Sequence, residues 1–280
     1  WGWLGLFLAV PFLIVLVISF SAAGYGSPPI EAPLKWIDGH LSFDLDLDSF
    51  ALLASDPLYL IAFVDSLLMA GATTILCLLI GYPMAYVMAR APKRIQPLLV
   101  MLVILPFWTS FLIRVYAWIG ILKDNGLLNG LLMRIGLIDH PLMILNTTGA
   151  VLIGMVYAYL PFLVLPLYAT LEKLDWTLLE AAADLGARPW PAFFRVTLPL
   201  SAPGTIAGAL LVFVPACGEF VIPELLGSAK LPMIGTVLWM EFFANRDWPA
   251  ASAIAVALLV ALAAPILLVQ GRQAGQGRTP

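Results

Sequence analysis

Charge is what this sequence has least of. Asp, Glu, Lys and Arg make up 11% of its 280 residues, against roughly a quarter in ordinary globular domains. A soluble chain of this size has no way to hide its apolar surface when 62% of its residues are hydrophobic. Histidine and cysteine are scarce as well. His40 and His140 stand alone, which leaves no ligand cluster for a metal. Cys77 and Cys217 both fall inside apolar runs, where they behave as small buried hydrophobes rather than as a disulfide framework. A net charge of −3 gives no global attraction for nucleic acid. The sequence has no G-x-x-x-x-G-K-[ST] loop, so any ATP must be bound by another chain. It also has no Ser/His/Asp or Cys/His set near a membrane face, which argues against a membrane enzyme.

What is present is lipid-compatible sequence, with a mean hydropathy of +0.98. Runs of about 20 apolar residues read as membrane helices, and six are expected, near 2–23, 61–90, 97–122, 148–171, 203–222 and 248–269. The first run has no basic lead-in and opens with Trp1 rather than Met. It therefore reads as a retained membrane helix whose cytoplasmic lead is missing, not as a signal peptide. An outer loop, 24–60, contains the alternating FDLDLDSF at 43–50. That alternation suits an extended segment with three Asp on one face, either a solvated acidic loop or a docking element. The weaker apolar patch at 127–138 reads as interfacial. A cytoplasmic loop fills 172–200, and 271–280 reads as a polar, flexible tail.

Six spans put both termini on one side. That side collects Arg90, Lys93, Arg94, Lys173, Arg188, Arg195, Arg272 and Arg278, against Lys35, Lys123, Arg134, Lys230 and Arg246 on the other. The basic excess makes the first face, with the N- and C-termini, cytoplasmic. Acidic residues gather on the outer face, from Glu31, Asp38, Asp44, Asp46, Asp48 and Asp56 through Asp124 and Asp139 to Glu224, Glu241 and Asp247. They form either a sink for cations or ordinary solvated loop charge.

Three ionisable residues fall inside the expected spans: Asp65, Arg114 and Glu219. Such groups are costly in lipid and are functional candidates by default. Arg114 reads either as a structural ion pair with Asp65 or Glu219, or as part of a cargo path. Phe107, Phe111, Arg114 and Trp118 share one helical face, and Tyr157 and Tyr159 occupy the next span. Rings with carboxylates can hold an alkylammonium chain, although an aromatic stripe also serves helix packing.

Residues 180–199, EAAADLGARPWPAFFRVTLP, form a charged, helix-breaking run between long apolar spans. Ala-rich sequence favours helix, Gly186 breaks it, Pro189 suits a new first turn and Pro199 is expected to end it. The predicted product is a knob of two short helices joined at a glycine, lacking catalytic side chains and suited to being gripped by a partner. Glu180-Ala181-Ala182, Gly186, Val196 and Leu198-Pro199 resemble the EAA signature of ABC importer permeases, E-A-A-x3-G-x9-I-x-L-P, with Val196 in place of Ile. The blocks at 106–118, 121–129, 218–227 and 241–253 are similar to the polyamine branch of that family, closest to the putrescine-importer type and next to its spermidine-preferring relative. The resemblance runs from about 56 to 265.

It implies an all-α integral membrane protein with type I ABC importer permease architecture, six transmembrane helices and a cytoplasmic coupling (EAA) loop, in the bacterial inner membrane. The implied partners are a homologous second permease subunit, two copies of an ABC ATPase subunit and a periplasmic polyamine-binding protein. ATP and Mg would be held on the ATPase subunits, with no cofactor in this chain. Glu180, Ala181, Ala182, Gly186, Val196, Leu198 and Pro199 would couple to the ATPase. Putrescine or spermidine would pass Glu219 and Asp65, with Trp118, Tyr157, Tyr159, Phe111, Glu224 and Glu241 along the pathway. The alternatives are an ABC permease for another small solute and an ion-coupled carrier. The latter is disfavoured by the lack of a convincing internal repeat.

Overall fold

The computed structural model describes residues 2–24, 26–31, 33–37, 40–43, 45–228 and 232–276. Asp38, Asp44, Lys230 and Arg278 of the charge pattern lie outside the described residues, as do 277–280 of the tail. In chain order the helices are α1 (Gly2–Leu4), α2 (Val10–Ser19), α3 (Asp48–Ser55), α4 (Pro57–Arg90) and α5 (Gln96–Ile104). There follow α6 (Phe111–Leu122), α7 (Leu127–Arg134), α8 (Thr148–Leu171), α9 (Thr177–Asp184) and α10 (Pro189–Ala192). The chain continues through α11 (Leu198–Leu200), α12 (Ala202–Cys217), α13 (Val221–Leu226), α14 (Ile234–Trp239) and α15 (Trp248–Gln276). Two small antiparallel pairs, Ala22–Ala23 with Ile30–Glu31 and Leu34–Ile37 with His40–Phe43, are the described strands.

Several expected boundaries are corrected. The extended run at 43–50 stops early: the strand ends at Phe43 and α3 begins at Asp48, whose N–H donates to Asp46 Oδ1 at 2.7 Å. The second span begins at Pro57, because Asp56 Oδ1 accepts the Leu58 N–H at 2.8 Å and Pro suits the first helical position. The run at 97–122 is not one straight helix. Leu105–Trp108 tightens to a 3-10 turn, Thr109 is extended, and the arms Gln96–Trp108 and Phe111–Arg134 meet at 89°. The run at 203–222 ends at Cys217, where Pro215 has removed a backbone donor, and α13 starts anew. Pro199 does not stop its helix. The break comes at Ser201, where Pro189–Leu200 meets Ala202–Cys217 at 70°. The helix at the C-terminal end runs on to Gln276. Helices α4 and α8 are each long and apolar enough to cross a membrane, and the number rises to four if each bent pair is one span. Gly5–Ser19 and Trp248–Ala263 are shorter apolar helices.

The chain forms two compact units. In the first, residues 1–66 and 232–280, Leu53, Tyr59, Ala62, Ile234, Val237, Ala253 and Ile254 make a core covered by Phe50 and Phe63. The buried Ser66 hydroxyl seats the start of α14 by accepting the Ile234 N–H at 2.7 Å.

In the second, residues 67–231, α8 is the most buried element. The Thr147 hydroxyl caps it by accepting the Ala150 N–H at 3.2 Å. Helix α12 lies against α8 at backbone distance. A Cβ on Gly208 would stand 2.9 Å from the Leu163 carbonyl oxygen and one on Gly204 2.6 Å from Thr170 Cβ. Small residues four apart let helices approach this closely where lipid supplies no hydrophobic drive between them. On the expected cytoplasmic side, Gln96 Nε2 donates to the Ala89 and Ala91 carbonyls at 3.0 Å each, closing the turn between α4 and α5.

Gly208→Ala is predicted to destabilise the protein by about 1–3 kcal/mol, the usual cost of overpacking. Gly71→Ala, where nothing lies within 4 Å of the added carbon, should be neutral or slightly stabilising. Thermal unfolding of the purified variants in one detergent checks this. Equal melting of Gly208→Ala and wild type would refute the backbone-contact account.

Candidate functional site

Glu219 follows directly on the end of α12. Its Oε1 accepts the N–H groups of Val221 at 3.0 Å and Ile222 at 3.3 Å, so the side chain closes the first turn of α13. Its Oε2 accepts the hydroxyl of Tyr159. The residue is 9% exposed, and no Lys or Arg pairs with it among the described residues. Helix α13 is seated on α8 at Gly154, where an added Cβ would lie 2.6 Å from Leu226 Cδ1 and 2.9 Å from Ile222 Cγ2. The result is a buried carboxyl group held by three hydrogen bonds and, among the described residues, by no cation. That arrangement both caps a helix and leaves an attraction for a cationic group.

The aromatic residues divide around it. Tyr159 points inward to Glu219, while Tyr157, two residues away on another face of α8, is partly exposed and meets Trp118 edge-to-face at 5.5 Å. Phe162 bridges Tyr159 at 6.1 Å and Phe107 at 5.3 Å.

Among the described residues Arg114 forms no ion pair with Asp65 or Glu219. Its Nη1 donates to the Pro106 carbonyl at 2.9 Å, and its guanidinium lies 5.0 Å from the Phe107 ring and 5.9 Å from that of Phe111. The sharp break before α6 leaves carbonyls at the end of the preceding helix without intrahelical donors. The Pro106 oxygen also takes the Thr109 hydroxyl at 2.8 Å. A cation at a helix C-terminus over two ring faces is well placed without a carboxylate.

The remaining carboxylates are dispersed. Glu224 is exposed on α13. Asp65 and Glu241 belong to the first unit, whereas the other pathway candidates belong to the second. Asp65 is half-buried and makes no hydrogen bond or ion pair with the described residues. Glu241 accepts the Tyr59 hydroxyl on Oε1 and Asn245 Nδ2 on Oε2, each at 2.9 Å. Sequence reasoning did not find Tyr59 or Gly154. The Asp56-Pro57 start signal would have put Tyr59 in the first turn of α4 rather than in a loop.

Residues 180–199 are mostly exposed. Asp175 Oδ1 accepts the Thr177 hydroxyl at 2.8 Å and its N–H at 3.0 Å, opening α9. These bonds, the side-chain one first, hold the Asp175 carboxyl below its ordinary range. Helix α9 closes at Gly186, φ +82°, with the Gly186 N–H on the Ala183 carbonyl at 2.8 Å and the Ala187 N–H on the Ala182 carbonyl at 2.9 Å. This paired closure needs a left-handed residue. Leu185 is 89% exposed and Trp190 74%, so the tip carries apolar side chains into solvent. Glu180, Ala181 and Pro199 are exposed, and Ala182, Val196 and Leu198 half-buried. Behind the tip, Phe193 meets Tyr82 edge-on at 5.2 Å, and the Tyr82 hydroxyl shares a 2.6 Å hydrogen bond with Ser201. The segment is therefore anchored at one end to α4 and presented at the other.

Residues 78–273 match the family described as Binding-protein-dependent transport system inner membrane component. The chain belongs to this family. It is a transport component of the inner membrane and not an enzyme. It is 45% identical over 262 residues to the spermidine/putrescine transport system permease protein PotB of Haemophilus influenzae, covering 94% of this chain and 87% of the relative. It is 42% identical to PotB of Escherichia coli K12, over 95% of this chain and 92% of that one. A molybdenum transport system permease protein, ModB of Mycobacterium bovis, is 30% identical over 82% of this chain and 84% of its own. In fold, the permease is similar to a bacterial alginate ABC transporter in complex with a pentasaccharide-bound periplasmic protein. That match has a TM-score of 0.68 at 19% identity and covers 99% of this chain and 92% of that chain.

Removing the cap should be separable from removing the charge. Glu219→Ala is predicted to lower stability by about 0.5–2 kcal/mol, the range for a lost helix cap. Glu219→Gln, which keeps an acceptor for the two N–H groups, should melt near wild type. If both variants melt with wild type, the cap contributes nothing.

Proposed function

We propose that this permease is the membrane-spanning subunit of an ATP-driven importer that carries polyamines, putrescine or spermidine or both, into the cytoplasm. The observation that carries the cargo assignment is identity of 42–45% to spermidine/putrescine permeases over at least 94% of the chain. The site chemistry is compatible with it. A buried carboxylate with no counter-cation among the described residues, hydrogen-bonded by Tyr159, suits an alkylammonium group.

The architecture in this reading has six spans: α4 and α8, the apolar arms of the two bent pairs that lie outside 172–200, and the shorter apolar helices Gly5–Ser19 and Trp248–Ala263. Both termini and residues 172–200 are cytoplasmic. A homologous permease subunit completes the pathway, two ATPase subunits bind ATP and Mg, and a periplasmic polyamine-binding protein delivers cargo. Glu180, Ala181, Ala182, Gly186, Val196, Leu198 and Pro199 form the coupling knob, whose apolar tip at Leu185 and Trp190 enters a cleft on the ATPase. Closure of the ATPases moves the knobs, and the tie from Phe193 and Ser201 to Tyr82 carries that motion into α4 and α12. The path then opens alternately outward and inward. Glu219 and Asp65 receive ammonium groups, with Phe111, Trp118, Tyr157, Tyr159, Glu224 and Glu241 along the way. Arg114 braces the helix break.

A second reading, a permease for another small solute, draws on the molybdenum permease relative. Polyamine-stimulated ATPase activity of the complex in lipid, with the binding protein present, separates the two. Stimulation by putrescine or spermidine in wild type and its loss in Glu219→Gln is the expected result. Stimulation only by an unrelated solute would remove the cargo assignment. An unchanged Glu219→Gln response would take Glu219 out of the pathway.

Gly186→Val should separate hydrolysis from transport, because a β-branched residue at positive φ costs on the order of 1–3 kcal/mol and distorts the knob. Uptake is predicted to fall by about tenfold or more, roughly the effect of 1.4 kcal/mol. Basal hydrolysis should persist in the assembled fraction. Normal uptake with normal coupling would refute the hinge role.

A further inference from the structure

Between the end of α6 and the face of α7 lies a groove of about 620 Å³, with Lys123 and Arg134 among its lining residues. Leu127, Leu131 and Arg134 fall at i, i+4 and i+7 and so share one face of α7, and all three line the groove. That face is open, with Leu127 76% and Leu131 59% exposed. Neither Lys123 nor Arg134 has an ion pair among the described residues. The one carboxylate beside them in sequence, Asp124, is exposed and is not part of the lining.

The walls are fixed in place. Asn129 is buried and binds the Leu142 backbone from both sides, its Nδ2 donating to the carbonyl and its Oδ1 accepting the N–H, each at 2.9 Å. A Cβ at Gly126 would come within 2.4 Å of the Ile121 carbonyl oxygen, so only glycine allows the tight reversal from α6 to α7. The floor is bare: nothing lies within 4 Å of a Cβ built on Gly120 or Gly130.

We infer that this groove holds an anionic phospholipid, with its phosphate between Lys123 and Arg134 and an acyl chain along Leu127 and Leu131. A soluble anion would satisfy the cations and leave the leucines in water, and an uncharged apolar partner would do the reverse. An amphiphile with a negative head matches both halves. The location agrees, since Val115–Leu122 of α6 carries no charge and the chain turns polar at Lys123, where head groups meet hydrocarbon. Amphipathic helices with basic residues at that level attract acidic lipid. The inference rests on the proposed spanning topology for the depth of the groove and the choice of leaflet.

The test is native mass spectrometry of the full chain, purified with its partner subunits and exchanged into mixed phosphatidylcholine and phosphatidylglycerol. Two variants are compared with wild type, Lys123→Gln/Arg134→Gln and the groove-filling Gly130→Leu. Wild type should retain phosphatidylglycerol. The double variant should lose about 25-fold in retention, a factor of about five for each basic residue at a membrane surface, and Gly130→Leu should lose retention with its charges intact. Unchanged retention in the double variant overturns the site. Loss in the double variant but not in Gly130→Leu reduces it to diffuse surface attraction and also overturns it. Unchanged lipid retention with weaker stimulation by the binding protein would give the groove to a protein partner instead. Lipid retention is read independently of cargo, so a complex that keeps its lipid but ignores polyamines would sink the cargo assignment alone.

Discussion

A hydrocarbon solvent offers no partner to a free N–H or C=O, so every interruption of a helix inside it has to be closed by the chain itself. This chain interrupts its helices repeatedly, and its polar side chains gather where it does. At the 89° break before α6, the Pro106 carbonyl is taken by Thr109 and Arg114. After α12, Glu219 takes the N–H groups that open α13. At the 70° bend between Pro189–Leu200 and α12, Ser201 donates to the Leu198 carbonyl while meeting the Tyr82 hydroxyl. Charge is scarce in the sequence, and much of what lies deep is placed to close breaks.

That constraint explains what could be read from residues alone. Long apolar runs announce helices because nothing else satisfies the backbone in lipid, and the glycine in 180–199 announces a turn because α9 can close there only through a left-handed residue. The family follows from the same stretch. Breaks inside apolar runs were not legible, because hydropathy is blind to a change of direction: 97–122 reads as one largely apolar run although its two arms are nearly perpendicular. Partners across the fold were not legible either. Arg114 looks in sequence for a carboxylate, but it is satisfied by a backbone oxygen and two ring faces, none of which has a sequence code. Tyr159 and Glu219 stand sixty positions apart, and no periodicity links them.

The glycines carry the complementary half of the design. Broken helices leave short elements with few contacts of their own, such as the six residues of α13, and these stay in place only by close approach to a long one. Gly154 admits Ile222 and Leu226 against α8, while Gly204 and Gly208 admit α8 to α12. One helix thus seats both the element before Glu219 and the element after it. A displacement of α12 from the Pro189–Leu200 side would have a direct route to that carboxylate, because no loop intervenes beyond Gly218.

In the proposed transport reading, the double use of Glu219 has a consequence for how cargo is released. A carboxylate committed to a permanent ion pair would bind an ammonium group poorly, and one left bare in lipid would be prohibitively costly. Held by two backbone N–H groups and a tyrosine hydroxyl, it is stable in the absence of cargo yet exchangeable. An arriving ammonium competes with the Tyr159 hydroxyl for one oxygen while the other keeps the cap. Neither oxygen is then left without a hydrogen-bond partner at any stage, and release returns the oxygen to Tyr159 rather than to hydrocarbon. The same exchange keeps affinity modest, which suits a pathway site that must let its cargo go.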